Sequence, residues 1–388
     1  MIKRTITEKL MYLVTKFPVV SVLGPRQSGK TTLVKNVFPN YEYISLEDID
    51  FRIMAQEDPR GFLRLHGNYE GLILDEIQNA PDLLSYIQTH VDNTKKNGYF
   101  ILTGSQNFLI NEAITQTLAG RIAILTLLPL SIGEMKNSNL LATQPETAMF
   151  KGCYPRIYDQ KIQPEDLFPN YIRTYIERDV RMVKNVTNLN DFQKFIKLCA
   201  GRIGQLVNLA SLGNDCGISS GTVKSWLSLL ESSYIIFTLQ PYYKNFNKRL
   251  IKSPKIYFYD TGLACSLLGI TSEEQLNSHY LRGGLFESFI ISDLMKQSYN
   301  KGTLPSIYFW RDKTGNEVDC LIEKGEKIIP IEIKSGLTIN RSFFEGIDYW
   351  STISDTDPKN GIIIYAGDTG QKKIKENVIG WKNIDDLI

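Results

Sequence analysis

The 388-residue sequence has no cysteine pair spaced C-x-x-C. Its five cysteines, Cys153, Cys199, Cys216, Cys265 and Cys320, are odd in number and scattered. That pattern argues against a disulfide framework, and reduced thiols in a cytoplasmic compartment are expected. Its three histidines, His66, His90 and His279, stand alone, so no His/Cys set has zinc-ligand spacing. No apolar run approaches the ~18 residues of a membrane helix, and the N-terminus lacks the apolar stretch of a signal peptide. Neither a membrane span nor a leader is expected. No sign of charge dominates either: 44 Lys and Arg against 42 Asp and Glu leave a net charge of +2. Any nucleic-acid or membrane surface must therefore be local. No internal repeat or low-complexity tract is present. What remains is ordinary globular composition, 43% hydrophobic and 22% charged, with length for two to three domains.

One motif stands out. Gly24-Pro25-Arg26-Gln27-Ser28-Gly29-Lys30-Thr31 is a complete G-x-x-x-x-G-K-T phosphate loop. The apolar run from Val19 to Leu23 enters it as a buried strand, and Thr32-Leu33-Val34-Lys35 leaves it as a helix. That strand–loop–helix context is what the motif requires. Gly24 and Gly29 let the backbone wrap and aim its N–H groups at phosphate oxygens, and the helix adds its positive end. Lys30 would reach the β- and γ-phosphates of ATP, and the Thr31 hydroxyl would ligate Mg²⁺.

Residues 1–135 alternate helix and strand patterns. Helices are expected at 5–16, behind the loop, after Pro81 and at 108–119. Strands are expected at 19–23, 41–46, 71–74, 99–102 and 121–128. Five strands with intervening helices predict a three-layer α/β domain around a parallel sheet. Leu72-Ile73-Leu74-Asp75-Glu76 ends an apolar strand in two carboxylates. Asp75 would hold the Mg²⁺ shell and Glu76 would polarise the attacking water. At the tip of the next strand, Ser105 or Gln106 could sense the γ-phosphate, or simply cap a helix. Arg121 follows a glycine C-cap. It is either a surface arginine or one that reaches the nucleotide of a neighbouring subunit in a homo-oligomer.

These motifs, with Leu-Thr-Gly-Ser and Leu-Ala-Gly-Arg in the same order, resemble the prokaryotic AAA-type ATPases whose C-terminal half is domain of unknown function 4143. The resemblance extends through Tyr171–Val180 and covers essentially the whole chain. It implies the strand order 5-1-4-3-2 and an arginine-finger-like role for Arg121. The usual lid with a second sensor arginine is not evident after residue 130.

Residues 136–169, rich in Asn, Ser, Thr and Gln and holding Pro145, Pro155, Pro164 and Pro169, predict a linker. Residues 170–275 read as a helical domain with a winged helix. Two short helices flank the turn 213–217, and Ser219 caps the second, whose Val223, Trp226, Leu227 and Leu230 share a face. A hairpin follows, with Lys244, Lys248, Arg249, Lys252 and Lys255 in an acid-free stretch at 244–255. Its partner is either DNA, with the helix in a groove and the wing on phosphates, or another protein surface. In residues 276–388, Glu287 lies on a helical pattern. Asp319 enters one strand, and Glu332 and Lys334 share a face of a second, joined through Lys324-Gly325-Glu326. Glu, Asp and Glu-x-Lys in that order resemble the PD-(D/E)xK nuclease family, in which the carboxylates would hold a metal and Lys334 would steady the nucleophile or phosphate. Three functions stay open: an ATPase whose hydrolysis repositions its C-terminal half, an ATP-gated DNA nuclease, and a nucleotide-dependent protein-interaction switch.

Overall fold

The computed structural model describes residues 2–66, 69–105, 117–180, 186, 188–243, 251–367, 377–385 and 387–388. The first sheet holds β1 (Val19–Leu23), β2 (Glu42–Ser45), β3 (Leu72–Asp75), β4 (Phe100–Gly104) and β5 (Ile122–Thr126) in the order β2-β3-β4-β1-β5. All its pairings are parallel. This is the expected order read from the other edge. β1, β3 and β4 are buried throughout, because apolar layers cover both faces. On one side Ile6, Leu10, Leu33 and Val34 pack with Val20, Val22 and Ile101. On the other, Phe62, Leu83, Leu84 and Ile87 pack with Val19, Leu72 and Phe100. Most of the helix expected at 108–119 lies outside the described residues.

The expected linker at 136–169 is instead part of the body. Three of its four prolines start helices rather than prevent them: Pro145, Pro155 and Pro164 each occupy the first turn of Pro145–Lys151, Pro155–Asp159 and Pro164–Tyr171, and Pro169 lies inside the last of these. A first-turn N–H has no intrahelical partner, so proline loses nothing there. Met149, Phe150, Cys153, Tyr154, Leu167 and Phe168 from this stretch lie in the largest core cluster. Packing is close enough that a Cβ on Gly262 would lie 2.5 Å from the Phe168 ring. The chain continues as a π-helix, Ile172–Val180.

A helix–turn–helix forms, from Leu209–Cys216 and Ser220–Ser232, but the turn lies at 217–219: residues 213–216, expected in the turn, belong to the first helix. Gly217 closes the first helix at φ 75°, and the Ser219 side chain accepts from Thr222 N at 3.1 Å to open the second. Trp226 meets Phe192 and Phe195 of the helix Leu189–Ala200 edge-on, with centroids 5.2 and 5.4 Å apart. β6 (Ile236–Leu239) and β7 (Lys255–Phe258) then pair antiparallel.

The last region is a mixed sheet, β12-β11-β10-β9-β8, made of β8 (Ile307–Arg311), β9 (Glu317–Lys324), β10 (Lys327–Lys334), β11 (Ile362–Tyr365) and β12 (Val378–Gly380). The β9–β10 hairpin turns at Gly325, φ 60°, as the sequence predicts. Helix Arg282–Asn300 covers one face and helix Glu345–Ser354 the other. Double cover explains why Glu332, expected on a charged face with Lys334, is only 3% exposed.

Candidate functional site

The phosphate loop joins β1 to helix Lys30–Val37. Gly29 at φ 95° takes a conformation that a side chain would strain. At Gly24 a Cβ would lie 2.1 Å from the Leu127 carbonyl oxygen, so only glycine lets β5's exit pass over the loop. Lys30 is buried, and its Nζ donates to the carbonyls of Gly24 at 3.0 Å and Pro25 at 2.8 Å. Burial holds its ammonium below the ordinary lysine range despite Glu76 and Asp75 nearby. The Thr31 hydroxyl donates to Asp75 Oδ2 at 2.9 Å. Asp75 also accepts from the Tyr43 hydroxyl at 2.7 Å and from Thr103. Glu76 sits at φ 56°, ψ 52°, an uncommon setting for a residue with a Cβ. Its Oε2 accepts from Ser105 Oγ at 2.8 Å and from Gln78. Within the loop, Ser28 Oγ is buried with no partner. Arg26 stacks over the Tyr175 ring, Gln27 is exposed at φ 62°, and Thr32 is exposed on the first helical turn.

Two outside groups hold this loop. Arg4, 7% exposed, donates to Ser28 O and Leu128 O at 2.7 Å each and pairs with Glu134 at 3.1 Å. Glu134 is itself fixed by a capping box with Ser131. From the middle region, the Tyr175 hydroxyl lies 3.4 Å from Ser105 O, and the Tyr171 hydroxyl 3.5 Å from Arg26 O. The segment leaving β5 is also gripped from the far end of the chain. Lys296 donates to Leu130 O at 3.1 Å, and Asp293 accepts from Ile132 N at 2.6 Å. Both belong to helix Arg282–Asn300, which carries Glu287 two turns earlier.

The second cluster forms where β9 and β10 diverge, beyond the Ile331–Cys320 pair. The structure brings Glu287, Asp319, Glu332 and Lys334 into one neighbourhood. Asp319 Oδ2 accepts from Ile333 N at 2.8 Å and from Lys334 Nζ at 3.2 Å, and Lys334 also pairs with Glu332. One oxygen each from Glu287, Glu317 and Asp319 lie within 4.8 Å of one another, a spacing that can hold a cation. Glu317 was not a sequence candidate. Its position two residues before Asp319, hence on the same side of a strand, was the available signal. Also unexpected is Lys255, whose Nζ lies 2.9 Å from Glu287 and pairs with Glu317. Burial alone would push its ammonium down, but Glu287, Glu317 and Asp319 outweigh that and raise it. Asp319 stays below the usual carboxylate range although buried, because Lys334 and Lys255 favour its charged form. Burial and then Asp319 push Glu332 up to about 9 against the pull of Lys334.

A family model described as an AAA domain matches residues 16–136. Residues 16–136 are an AAA domain. Behind it, residues 142–274 match a domain of unknown function (DUF8612) and residues 282–384 another (DUF4143). An uncharacterized protein of Mycobacterium tuberculosis is 27% identical over 374 residues, covering 94% of this chain and 80% of its own. An uncharacterized protein of Methanocaldococcus jannaschii is 25% identical over 422 residues, covering 95% and 84%. Among solved structures, the chain is similar to the Walker-type ATPase PABY2304 of Pyrococcus abyssi, at 14% identity and TM-score 0.46, over 68% of this chain and 94% of that one.

Not every sequence candidate joins the AAA site. Arg121 opens β5 beside Val19, at the end of the sheet opposite the phosphate loop, and forms a two-pronged pair with Asp92 at 2.6 and 2.9 Å. A five-residue strand separates the two ends by about 17 Å, so Arg121 does not meet the nucleotide loop of its own chain. Gln106 lies outside the described residues, as do Lys244, Lys248 and Arg249 of the basic hairpin. Lys255, expected on phosphates, is instead 3% exposed among carboxylates. The hairpin's flanks pair with β8, through Tyr242 N to Phe309 O at 2.7 Å and Ile251 N to Arg311 O at 3.1 Å. Five free, buried cysteines fit the thiol reading. Among the described residues no helix is long and apolar enough to cross a membrane.

Proposed function

We propose that the chain is a Mg²⁺-dependent ATP hydrolase whose AAA domain gates its C-terminal half. The observation that carries this reading is the approach of Thr31 and Asp75 to 2.9 Å beside a buried lysine that donates to two loop carbonyls. The loop fits a triphosphate: Ser28 Oγ is buried without a partner, and the Lys30 ammonium donates to neutral loop carbonyls that phosphate oxygens could replace. Bound Mg²⁺ would neutralise charge on the β- and γ-phosphates. Thr31 and Asp75 would hold it, the backbone of residues 24–32 would wrap the phosphates, and Lys30 would exchange carbonyls for phosphate oxygens. Glu76 would orient the attacking water and accept its proton. Ser105, bonded to Glu76 and touching Tyr175 through its carbonyl, would relay occupancy to the middle region. An arginine-finger role for Arg121 requires a neighbouring subunit.

Phosphate release tests the core of this. Glu76→Gln should lower it by about 10²–10⁴-fold, and Lys30→Ala should abolish most of it. Unchanged release in both variants would overturn the assignment.

A second reading, an ATP-gated nuclease, is supported by the convergence of Glu287, Glu317, Asp319, Glu332 and Lys334. Plasmid cleavage with Mn²⁺, compared between wild type and Asp319→Ala, tests it. No cleavage under any nucleotide condition would end it.

A further inference from the structure

The acidic cluster at the β9–β10 fork already contains a cation. We infer that the Lys255 ammonium occupies the place of a divalent ion among Glu287, Glu317 and Asp319, so that the site accepts Mg²⁺ or Mn²⁺ only when the Lys255 side chain is displaced. Three observations support this. First, Lys255 bridges two of the three carboxylates whose oxygens are close enough to share one cation. Its side chain is 4% exposed, so the contact is a packed one rather than a surface pair. Secondly, the cluster carries its other cations at its margins: Arg311 pairs with Glu317 at 3.2 Å, and Lys334 with Asp319 at 3.2 Å and with Glu332. Each carboxylate of the trio therefore has a lysine or arginine partner with no metal needed. Thirdly, Lys255 comes from a different region of the chain than the carboxylates. It opens β7, which pairs with β6 and whose Phe258 N donates to Ser288 of the long helix at 3.1 Å, whereas Glu317 and Asp319 lie on β9 and Glu287 on the long helix.

The arrangement is a latch. Its two halves are held by pairings at the hairpin base: Leu206 bridges Lys255, Pro241 bridges Phe309, and the Tyr257 hydroxyl donates to Glu287 at 2.5 Å. Glu332 Oε1, buried beside the fork with no partner, lies against Gly346 of helix Glu345–Ser354 rather than among the trio. Removing the ammonium would leave three carboxylates facing one another in a buried setting, which favours uptake of a divalent cation.

This deepens the nuclease reading by naming what closes its site, but it can fail separately. Equilibrium dialysis with Mn²⁺ and no nucleotide tests it. Wild type and Asp319→Asn should bind the same amount of Mn²⁺. Lys255→Met should bind one more ion per chain, and Lys255→Met with Asp319→Asn should lose it. Thermal melting provides a second readout: Mn²⁺ should raise the melting temperature of Lys255→Met by several degrees and leave wild type unmoved. An ion bound by wild type and removed by Asp319→Asn would overturn the latch. So would a folded Lys255→Met with no additional ion, or an unfolded one that Mn²⁺ does not restore. Metal uptake by Lys255→Met without DNA cleavage would leave the latch standing and count against the nuclease alone.

Discussion

The phosphate-loop site and the β9–β10 fork use the same materials: strand-end carboxylates, a buried lysine and a helix. They differ in what satisfies the lysine. Lys30 is held by two carbonyl oxygens of its own loop, and burial pulls its ammonium below the usual range. Lys255 is held by carboxylates, which raise it above that range. A phosphate can displace a carbonyl from an ammonium, because it adds the attraction of an opposite full charge that a neutral carbonyl lacks. It has no such advantage over a carboxylate. The first site is therefore built to receive an anion, and the second is internally neutralised.

This contrast can be broken at three further points. The largest effect is expected from Arg4→Ala. It removes the brace of the receptive site and leaves Glu134 buried without its cation, at a cost of about 3–5 kcal/mol. Thermal or urea unfolding measures the loss, and phosphate release should fall with it. A loss within ~0.5 kcal/mol would show that the loop is held by its sequence alone.

A smaller, pH-dependent effect is expected at the neutralised site. The folded chain holds the Glu332 proton up to about pH 9, above the ordinary glutamate value of 4.5. The folded state thus binds more protons, and stability falls as pH rises from about 4.5 towards 9. Glu332→Gln should flatten this slope in unfolding measured at pH 5 and pH 8. An unchanged slope would place the titration elsewhere.

The smallest is Tyr175→Phe, which removes one hydroxyl contact to Ser105 O and should cost about 1 kcal/mol. If Ser105 reports nucleotide occupancy to the middle region, ATP should protect the wild-type middle region from limited proteolysis more than it protects the variant. Equal protection would uncouple Tyr175 from the loop.

Much of the first site was legible because its parts are contiguous. Residues 24–31 carry their own turn and helix start, and Asp75-Glu76 follow an apolar strand. Tyr43 and Thr103 were not legible as partners of Asp75, since they reach it across neighbouring strands. Arg4 was still less so, being 130 residues from Glu134. At residues 136–169, proline count misled, because a proline breaks or begins a helix according to its position in the first turn. At the fork, Glu287, Asp319, Glu332 and Lys334 were found from their order. Lys255 was counted as a surface charge because its exposure depends on how the hairpin packs against β8 and the long helix.

Taken alone, the sequence determined the phosphate loop, the parallel sheet, the helix–turn–helix and the β9–β10 hairpin. Each follows from local backbone geometry or from an apolar period of two or about 3.6 residues. Tertiary structure decided which charges face one another. It took Arg121 away from its own chain's loop, placed Arg4 behind Ser28 and put Lys255 among carboxylates. Those outcomes depend on burial and on contacts between residues far apart in the chain, which no local pattern encodes.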